Sequence, residues 1–318
     1  IYYGMTWRIS LVVLILAFKA CKEKTVKIDA IEEAKENTET NYLIEVDELL
    51  KIVKEPNIKI LDFRKSDFYK KEHIEGALNI WRTDLEDASY PYMGMMAGKE
   101  QMETLLGRLG VNKNDTIIIY DDNGLCDSSR LWWILQNYDF TNVRLFHGGI
   151  TAWKAHDGAI STEVPLVQKT LFKLPEKPSM KYYVSKEEML EAITKKTLIL
   201  DTRTTDEFTG KRQKNGASKG GRIPNSISID WSVAVDYNGD KKIKSIEELD
   251  KIYKKFGVSK NDTIIVYCHS GVRSAHTTFV LTQLLAYKNV KNYDGSWTEW
   301  SNFDQVPIQQ DSITSLFK

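Results

Sequence analysis

A cysteine and an arginine stand close together in Cys268-His-Ser-Gly-Val-Arg273, directly after an apolar, β-rich run, Thr263–Tyr267, and before a helical pattern. Backbone N–H groups of such a loop and of the first helical turn form a cradle for an anion, which favours thiolate over thiol. Gly271 permits the tight turn, and Arg273 adds a positive charge. The pattern predicts that Cys268 is a nucleophile; the alternative is a buried, inert thiol.

The length of this loop distinguishes two kinds of chemistry. Four residues separate the cysteine from the arginine: His269, Ser270, Gly271 and Val272. Cysteine phosphatases have five residues in this place, and their wider cradle accommodates phosphate. The shorter loop predicts a smaller cradle that suits a sulfane sulfur on the cysteine, and it disfavours a phosphatase.

An internal repeat supplies the elements that position this loop. Gly110–Tyr120 matches Gly257–Tyr267 at an offset of 147 residues, and the same offset relates Asn142–Trp153 to Asn289–Trp300. Two unrelated domains would not keep a constant offset over such a distance. The chain therefore contains one domain twice, and the second copy carries about ten extra residues between positions 210 and 221.

Each copy has the pattern of an α/β domain. Short runs that are apolar throughout indicate central strands covered on both faces: Ile58–Phe63, Thr116–Tyr120, Leu198–Asp201 and Thr263–Tyr267. Helical patterns lie between them: Val46–Val53, Gln101–Leu109, Ser129–Tyr138, Ile246–Phe256 and Ala275–Leu285. This alternation predicts two tandem domains, each a parallel sheet with helices on both faces.

Composition limits the class of protein and its partners. Of the 318 residues, 42% are hydrophobic and 28% are charged, as in soluble globular proteins. The formal net charge is zero, which argues against nucleic acid as a partner. The three cysteines, Cys21, Cys126 and Cys268, cannot form a disulfide framework and lack the spacing of a zinc site. We therefore expect no bound metal.

The N-terminus resembles an export signal. Arg8 precedes the apolar run Ile9–Phe18, which is shorter than the ~20 residues that span a membrane. The run ends shortly before Cys21, as in a bacterial lipoprotein signal, although Lys19 departs from that pattern; a plain export signal or an uncleaved anchor is the alternative. The sequence predicts an exported protein, either periplasmic or anchored to a membrane through a lipidated Cys21.

Charge and proline patterns divide the chain into segments. Residues 1–21 form the signal or lipoprotein segment, and residues 22–41 form a charged tether. Residues 42–158 form the first domain, residues 159–180 a linker with several prolines, and residues 181–318 the second domain. Because the cysteine loop lies in the second domain, the chemistry is expected there.

Four motifs stand out: Leu61-Asp62-x-Arg64, His73-Ile-x-Gly-Ala77, Cys268-x-Ser-Gly-x-Arg273 and Asp294-Gly-Ser-Trp-Thr-Glu-Trp300. Together they resemble the tandem-domain rhodaneses, the thiosulfate and 3-mercaptopyruvate sulfurtransferases, from about Asn41 to the C-terminus. The resemblance implies that the Cys268 thiolate takes the outer sulfur of a donor as a persulfide, releasing sulfite or pyruvate. Cyanide or a thiol acceptor then takes the sulfur. Such covalent catalysis needs neither a metal nor an organic cofactor.

The first copy lacks this nucleophile. At the offset of 147 residues, Cys268 aligns with Asp121, which cannot carry a persulfide. Cys126 aligns with Arg273 and does not replace the nucleophile. We therefore expect an inactive first domain and a catalytic second domain. By resemblance, the first domain closes over the active site.

Recognition of the donor is a separate question. In the thiosulfate enzymes that this chain resembles, an arginine usually precedes the aromatic residue aligned with Phe208, whereas this position is Glu207 here. Arg273 could replace the missing positive charge. Arg212 or Arg222 from the inserted stretch could also bind the substrate, and a solvated surface role is the alternative for both.

The loop itself favours one donor without excluding the other. Ser270 resembles the mercaptopyruvate loop, where a hydroxyl helps to activate a carbonyl donor, but His269 and Arg273 depart from that subfamily. Thiosulfate is therefore the favoured donor, and 3-mercaptopyruvate is the alternative. Because of Glu207, a second hypothesis from another class stays open: a non-enzymatic persulfide carrier or interaction module at the cell envelope.

Several polar side chains near these motifs are further candidates. His73 either bonds the backbone or, as a substrate-binding residue, acts as a relay to the active site through the domain interface. His269 and His276 flank the cradle and could donate hydrogen bonds to an anionic donor or to the persulfide; for His276, a packed side chain is the alternative. Asp201 and Arg203 are expected to pair beneath the loop and to orient it.

Overall fold

The computed structural model describes residue 1 and residues 42–310. The predicted signal segment and tether lie outside the described residues, except for Ile1. Both copies of the repeat belong to one compact unit that begins at Tyr42. In the described part of the chain, no helix is long and apolar enough to cross a membrane.

The first copy alternates strands and helices. Its strands are β1 (Leu43–Ile44), β2 (Ile58–Asp62), β3 (His73–Ile74), β4 (Leu78–Asn79), β5 (Thr116–Tyr120), β6 (Val143–Phe146) and β7 (Ile160–Ser161). Its helices are α1 (Val46–Ile52), α2 (Ser66–Lys71), α3 (Lys99–Arg108), α4 (Cys126–Asn137) and α5 (Gly149–Ala155). One turn of 3-10 helix, Arg82–Leu85, follows β4.

The second copy repeats this order. Its strands are β8 (Tyr183–Val184), β9 (Leu198–Asp201), β10 (Ser226–Ser228), β11 (Thr263–Tyr267) and β12 (Asn289–Tyr293). Its helices are α6 (Lys186–Thr194), α7 (Thr205–Thr209), α8 (Ile246–Tyr253), α9 (Val272–Phe279) and α10 (Ser296–Trp300). A 3-10 turn, Trp231–Ala234, follows β10, and a second one, Lys254–Phe256, extends α8. A π-helical turn, Val280–Leu284, extends α9.

The two sheets share one topology. The strand order is β1-β6-β5-β2-β4 in the first sheet and β8-β12-β11-β9-β10 in the second, and all neighbours are parallel. Equivalent strands of the two copies occupy equivalent places. The predicted fold class, two tandem α/β domains with parallel sheets, is therefore confirmed.

Two helices begin three residues earlier than the sequence pattern predicts. The apolar periodicity places their starts at Ser129 and Ala275, but α4 begins at Cys126 and α9 at Val272. Each helix follows a residue in the left-handed region, where φ is +66° at Leu125 and +75° at Gly271. The chain therefore turns directly from the loop into the helix. Because the first turn contains polar residues, the apolar periodicity does not reveal where the helix begins.

The predicted linker, residues 159–180, packs on the first domain. Within it, β7 pairs antiparallel with β3. The Thr170 amide donates to the Gly107 carbonyl at 2.9 Å, and the Leu174 amide donates to the Glu103 carboxylate at 3.0 Å. These bonds hold the segment between the domains against α3.

The domains meet through the helices that follow the two equivalent loops. Helix α4 packs against α9, and the rings of Trp132 and Phe279 meet edge to face at 5.0 Å. Buried apolar side chains of both domains form one continuous cluster. This interface brings the loop after β5 and the loop after β11 to the same region of the molecule.

Candidate active site

Cys268 lies in the loop between β11 and α9. Its strand places it at the carboxyl end of a parallel sheet, where ligand sites of α/β folds are found. The residue is only 1% exposed, and it forms no disulfide. Gly271 turns the chain with a φ of +75° and precedes the first residue of α9, Val272.

The segment around α10 holds this loop from one side. The Ser296 hydroxyl oxygen accepts the amide of Cys268 at 3.1 Å and that of Gly271 at 3.2 Å. The amides of Trp297 and Thr298 donate to the carbonyls of Cys268 and His269 at 3.1 and 2.8 Å. Four hydrogen bonds thus fix the loop, which explains what the motif Asp294–Trp300 contributes.

The surroundings of Cys268 stabilise its anionic form. Burial alone would raise the pKa of this thiol, but nearby groups outweigh it and hold the pKa below its ordinary value. These groups are the Arg273 guanidinium, the hydroxyl and amide of Ser274 and the amide of Ser270. The arrangement can hold a thiolate, as the sequence pattern suggests.

Arg273 is engaged by Glu207. Both terminal nitrogens of the guanidinium donate to the Glu207 carboxylate at 2.8 Å, and both side chains are largely buried. Burial opposes ionisation of Glu207, but Arg273 prevails and lowers the pKa of the carboxyl to about 2. Since the pair is neutral and both terminal nitrogens bind Glu207, Arg273 does not simply replace the positive charge missing at position 207.

The inserted stretch carries a cation that was not predicted near the site, the exposed Lys214. Lys214 interacts electrostatically with Arg273 and Cys268, and its pKa is lowered, first by desolvation and then by repulsion from Arg273. Arg212 is exposed, whereas Arg222 is buried with its guanidinium 4.5 Å above the ring of Phe208. Arg222 thus packs inside, which corrects its predicted role in substrate binding, whereas for the exposed Arg212 that role stays a prediction.

His269 connects the loop to the inserted stretch. Its Nε2 lies 2.9 Å from the carbonyl oxygen of Asn215, so we place the ring proton on this nitrogen. Burial, followed by repulsion from Lys214, lowers the pKa of His269 to about 4, and the ring is neutral near pH 7. The remaining nitrogen is then an acceptor. His269 therefore cannot donate to an anionic donor as the sequence suggested.

His73 and His276, the other two candidate histidines, are packed side chains. His73 lies in the first domain with Nδ1 2.8 Å from the Tyr69 carbonyl and Nε2 3.1 Å from the Glu163 carbonyl. No ring nitrogen is left for a substrate, so the structure corrects this predicted substrate-binding residue. His276 is fully buried beside the ring of Trp231, and burial lowers its pKa to about 4.

The first domain grips the cysteine loop through Arg130. Its guanidinium, buried in the interface, donates to Asp294 at 2.7 Å and to the Gly94 carbonyl at 2.8 Å. It also lies 3.4 Å from the Gly271 carbonyl oxygen. A Cβ at position 271 would lie 2.6 Å from this guanidinium, so Gly271 is required by the domain contact as well as by its φ.

The equivalent loop of the first domain holds a carboxylate instead of a thiol. Oδ1 of Asp121 accepts the amides of Asn123 and Leu125, and Oδ2 accepts the amide of Ser128, each at 2.9 Å. Burial, with repulsion from Asp127 second, raises the pKa of Asp121 to about 6. The cradle persists here, and the protein's own side chain fills it.

Cys126 does not resemble Cys268 in its environment. It is buried in an apolar cluster with Trp231, Val235 and Val272. Burial, with Asp127 second, raises the pKa of its thiol well above the ordinary value. It is thus a packed thiol.

Asp201 and Arg203 form the expected ion pair. The guanidinium contacts the Asp201 carboxylate at 2.6 Å and also donates to the Gly221 carbonyl at 2.7 Å, which anchors the end of the inserted stretch. The first domain repeats this pair in Asp62 and Arg64. Among the described residues, no group of three or more His, Cys, Asp or Glu side chains could hold a metal ion.

Sequence reasoning missed three contributors to the site: Lys214, Arg130 and Ser296. The Ser296 role carried a signal, because the residue lies within a quoted motif. Lys214 and Arg130 carried none, since their contacts join segments that are far apart in the chain.

The comparisons with known proteins agree with this architecture. A family profile described as "Rhodanese-like domain" matches residues 45–156 and 185–303. A "putative thiosulfate sulfurtransferase" of Saccharopolyspora erythraea is 35% identical over 248 residues, covering 76% of this chain and 86% of that protein. A "sulfur carrier protein TtuD" of Thermus thermophilus is 33% identical over 279 residues, covering 84% of this chain and 95% of that protein.

A solved structure shows the same arrangement of domains. The crystal structure of SseA from Escherichia coli, described with the 3-mercaptopyruvate sulfurtransferases, superposes with a TM-score of 0.72 at 28% identity. The match covers 81% of this chain and 99% of that one. Relatives of both donor types thus share this architecture.

Proposed function

This chain belongs to the rhodanese family and is a sulfurtransferase, and we propose that it transfers a sulfane sulfur from thiosulfate to cyanide or a thiol through a persulfide on Cys268. The observation that carries this proposal is the Cys268 loop itself. A buried thiol at a strand end has its pKa held below the ordinary value by Arg273 and by Ser274 and Ser270. Such a thiol is more often ionised than a free cysteine, and the thiolate is the nucleophile.

In the first half-reaction, the Cys268 thiolate attacks the outer sulfur of thiosulfate. A sulfur–sulfur bond forms to Cys268 while the bond to the sulfonate sulfur breaks, and sulfite leaves with that electron pair. The total charge of the reactants, minus three, equals that of persulfide anion and sulfite. The amides of Ser270 and Ser274 stabilise the anion at the start and at the end of this step.

In the second half-reaction, an acceptor attacks the outer sulfur of the persulfide. With cyanide, a carbon–sulfur bond forms, thiocyanate leaves and the Cys268 thiolate returns. With a thiolate acceptor, the product is the acceptor's persulfide. The cycle balances with the cysteine alone, so we propose that no metal or organic cofactor takes part; dialysis against a chelator is expected to leave the rate unchanged.

The choice of thiosulfate over 3-mercaptopyruvate rests on two arguments. Relatives that cover most of this chain are named putative thiosulfate sulfurtransferases. In addition, Arg273 stands in the loop where the mercaptopyruvate enzymes that it resembles have a small or hydroxylated residue. The alternative is supported by Ser270, whose hydroxyl makes no hydrogen bond to another described residue and is available to a carbonyl donor.

Intact mass spectrometry tests the persulfide and the donor together. Thiosulfate is expected to add ~32 Da, the mass of one sulfur, and cyanide is expected to remove it. The mass gain must be absent in Cys268→Ser and must remain in Cys126→Ser. Faster loading by 3-mercaptopyruvate would replace the proposed donor, and a gain that survives in Cys268→Ser would refute the proposed site.

A persulfide carrier is the second candidate. It is favoured by the similarity to a protein named sulfur carrier and by the neutral Arg273–Glu207 pair. The two functions differ in turnover: an enzyme consumes many donor molecules per site when cyanide is in excess, whereas a carrier loads once and releases sulfur only to a partner protein. Steady-state thiocyanate formation distinguishes them.

We also propose that the protein is exported and anchored to a membrane through a lipidated Cys21. The support is the short apolar run before this cysteine and the charged stretch after it. Labelling with radioactive palmitate in a bacterial host is expected to mark the wild type and not Cys21→Ser. Equal labelling of both, or none, would contradict the anchor.

A further inference from the structure

The first domain covers the Cys268 loop with a segment that follows β4. This segment, residues 82–96, is called the first-domain cover. The Thr298 hydroxyl, beside the loop, donates to the Met93 carbonyl at 2.8 Å. Gly94 approaches Ser270 so closely that a Cβ on the glycine would lie 2.6 Å from the serine Cβ. The cover is therefore seated directly on the loop.

The second domain covers the first domain's loop in the same way. Its equivalent segment, residues 231–243, is called the second-domain cover. The Tyr237 hydroxyl donates to the Asn123 side chain at 3.0 Å, and Val235 packs on Gly124, where a Cβ would lie 2.7 Å from it. The covering is reciprocal at aligned positions: the Met96 amide donates to Asp294, and the aligned Ile243 amide donates to His147, which aligns with Asp294.

Because the two covers correspond, the position of Arg82 follows from that of its aligned residue, Trp231. Arg82 and Trp231 are the first residues of the two equivalent 3-10 turns. Trp231 packs in one apolar cluster with Cys126, the first residue of α4, and with Val272, the first residue of α9. The counterpart position of Arg82 thereby lies where α4 and α9 begin, and its bond to Asp127 at the start of α4 agrees with this.

Arg82 differs from Arg273 in having free donors. Its Nε donates to Asp127 at 2.6 Å, and neither terminal nitrogen has a hydrogen-bond partner among the described residues. The side chain is 35% exposed. By contrast, both terminal nitrogens of Arg273 are bonded to Glu207. Arg82 is thus the arginine of this region whose two-pronged end is open to a ligand.

The electrostatics agree with this placement. Burial opposes the charge of Arg82, but its pKa is raised, chiefly by Asp127 and further by the anionic form of Cys268. A guanidinium that interacts electrostatically with the Cys268 anion also attracts an anionic group bound beside it. Its planar fork matches the oxygens of a sulfonate or a carboxylate.

We propose that Arg82, on the inactive first domain, binds the anionic group of the sulfur donor and supplies the positive charge that Glu207 removes from the second domain. The proposal rests on the sulfurtransferase function proposed above. It gives the inactive domain a direct part in donor binding. For thiosulfate, the two terminal nitrogens of Arg82 would contact sulfonate oxygens while the outer sulfur faces Cys268.

Donor kinetics provide the first test. In Arg82→Met, the KM for thiosulfate is expected to rise about 10-fold while kcat changes less than about 3-fold, since a binding contact is lost and the nucleophile is intact. Arg82→Lys should recover part of the loss, because it restores charge without the fork. Arg108→Met is the matched control, since it removes the same charge from an exposed site of the same domain. A KM within 2-fold of wild type in Arg82→Met would overturn the proposal.

Charge-selective alkylation tests Arg82 without requiring transfer. The rates of Cys268 modification by iodoacetate and by iodoacetamide are measured by peptide mass mapping, which separates Cys268 from the other cysteines. A changed thiol pKa alters both rates, so their ratio isolates attraction of the anionic reagent. This ratio is expected to fall about 3- to 10-fold in Arg82→Met and to stay constant in Arg108→Met. An unchanged ratio in both variants would overturn the proposal.

The two measurements separate the possible failures. If the wild type loads from no donor, the proposed function fails, and the alkylation ratio still decides the role of Arg82. If the wild type loads and Arg82→Met changes neither quantity, only the role of Arg82 fails. Because the substitution leaves Asp127 unpaired, the double variant Arg82→Met/Asp127→Asn is measured in parallel, and a folded double variant with wild-type KM also overturns the proposal.

Discussion

The strand–loop–helix unit has the same backbone arrangement in both copies, but its loop holds a different side chain in each. After β11 the loop surrounds a thiol whose pKa is lowered, whereas after β5 it surrounds the Asp121 carboxylate. Both loops present backbone amides to an anion. The comparison teaches that the cradle is a property of the fold, and that a single side chain determines whether it holds a reactive sulfur or a fixed charge.

The loops also differ in how the opposite domain contacts them. Arg130 of the first domain reaches the Gly271 carbonyl and Asp294, while its aligned position in the second domain is Thr277, which is too short to return the contact. The active loop is therefore held by an interdomain ion pair, Arg130–Asp294, that has no counterpart at Thr277. The inactive domain contributes to the site through its surface.

The strongest test of this comparison removes each buried thiol in turn. Cys268→Ser is expected to lower thiosulfate:cyanide transfer more than about 10³-fold, because the nucleophile is lost. Cys126→Ser changes the aligned loop of the first domain and should keep transfer within a few-fold of wild type. Thiocyanate formation measures both. Equal losses in the two variants would show that the loops are not functionally distinct.

Loss of the interdomain ion pair should have the next largest effect. Arg130→Met leaves Asp294 buried without its partner, which is expected to reduce the free energy of unfolding by about 3–5 kcal/mol. Urea denaturation gives the value, with Arg108→Met as the control that removes an exposed arginine. A change below about 1 kcal/mol in Arg130→Met would mean that Arg130 does not secure the Cys268 loop.

The Asp121 carboxyl group in the inactive loop should make the free energy of unfolding depend on pH. The folded protein holds the Asp121 proton up to a pKa of about 6, whereas the unfolded chain releases it near 3.8. The folded state binds more protons between these values, so this residue makes stability fall as pH rises from about 4 to 6, by ~3 kcal/mol.

Asp121→Asn removes this titration and isolates it. The difference in unfolding free energy between wild type and variant is expected to change across that pH range and to be constant above about pH 7. Urea denaturation at several pH values measures it. A difference that does not depend on pH would mean that Asp121 is ionised throughout, as a well-solvated carboxylate would be.

The smallest expected effect concerns the neutral pair beside the thiol. Glu207→Gln keeps the shape of the partner and removes its charge, so the field of Arg273 at Cys268 strengthens. The alkylation rate of Cys268 should then reach half of its plateau at a pH lower by less than about 1 unit. Glu191→Gln, which removes the acidic partner of an exposed pair in the same domain, is the control. A shift to higher pH would contradict the arrangement described here.

The sequence was sufficient for the central strands and for the reactive loop. The bounds of β5, β9 and β11 agree with the predicted runs, because strands buried on both faces are apolar without interruption. The repeat likewise predicted the shared topology of the two sheets. The position of Cys268 followed from local order, since a strand, a short glycine-containing loop and a helix are adjacent in the chain.

Where local pattern was weak, prediction was less accurate. The starts of α4 and α9 lay three residues before the predicted ones, because the first helical turns are polar and follow a left-handed residue. Arg212, Arg222 and His73 had suitable side chains for binding an anion. Their chemical type does not reveal whether they point into the site: burial against Phe208 and hydrogen bonds to carbonyls gave Arg222 and His73 other roles, and Arg212 lies on the surface.

By itself, the sequence determined which residue types occupy the end of each central strand: a thiol in one copy and a carboxylate in the other. Only the tertiary structure decided which charges surround that thiol. The pairing of Arg273 with Glu207 joins residues 66 positions apart, and that of Arg130 with Asp294 joins residues 164 positions apart. Such contacts depend on how inserted segments and whole domains pack, and packing leaves no periodic signal in the chain.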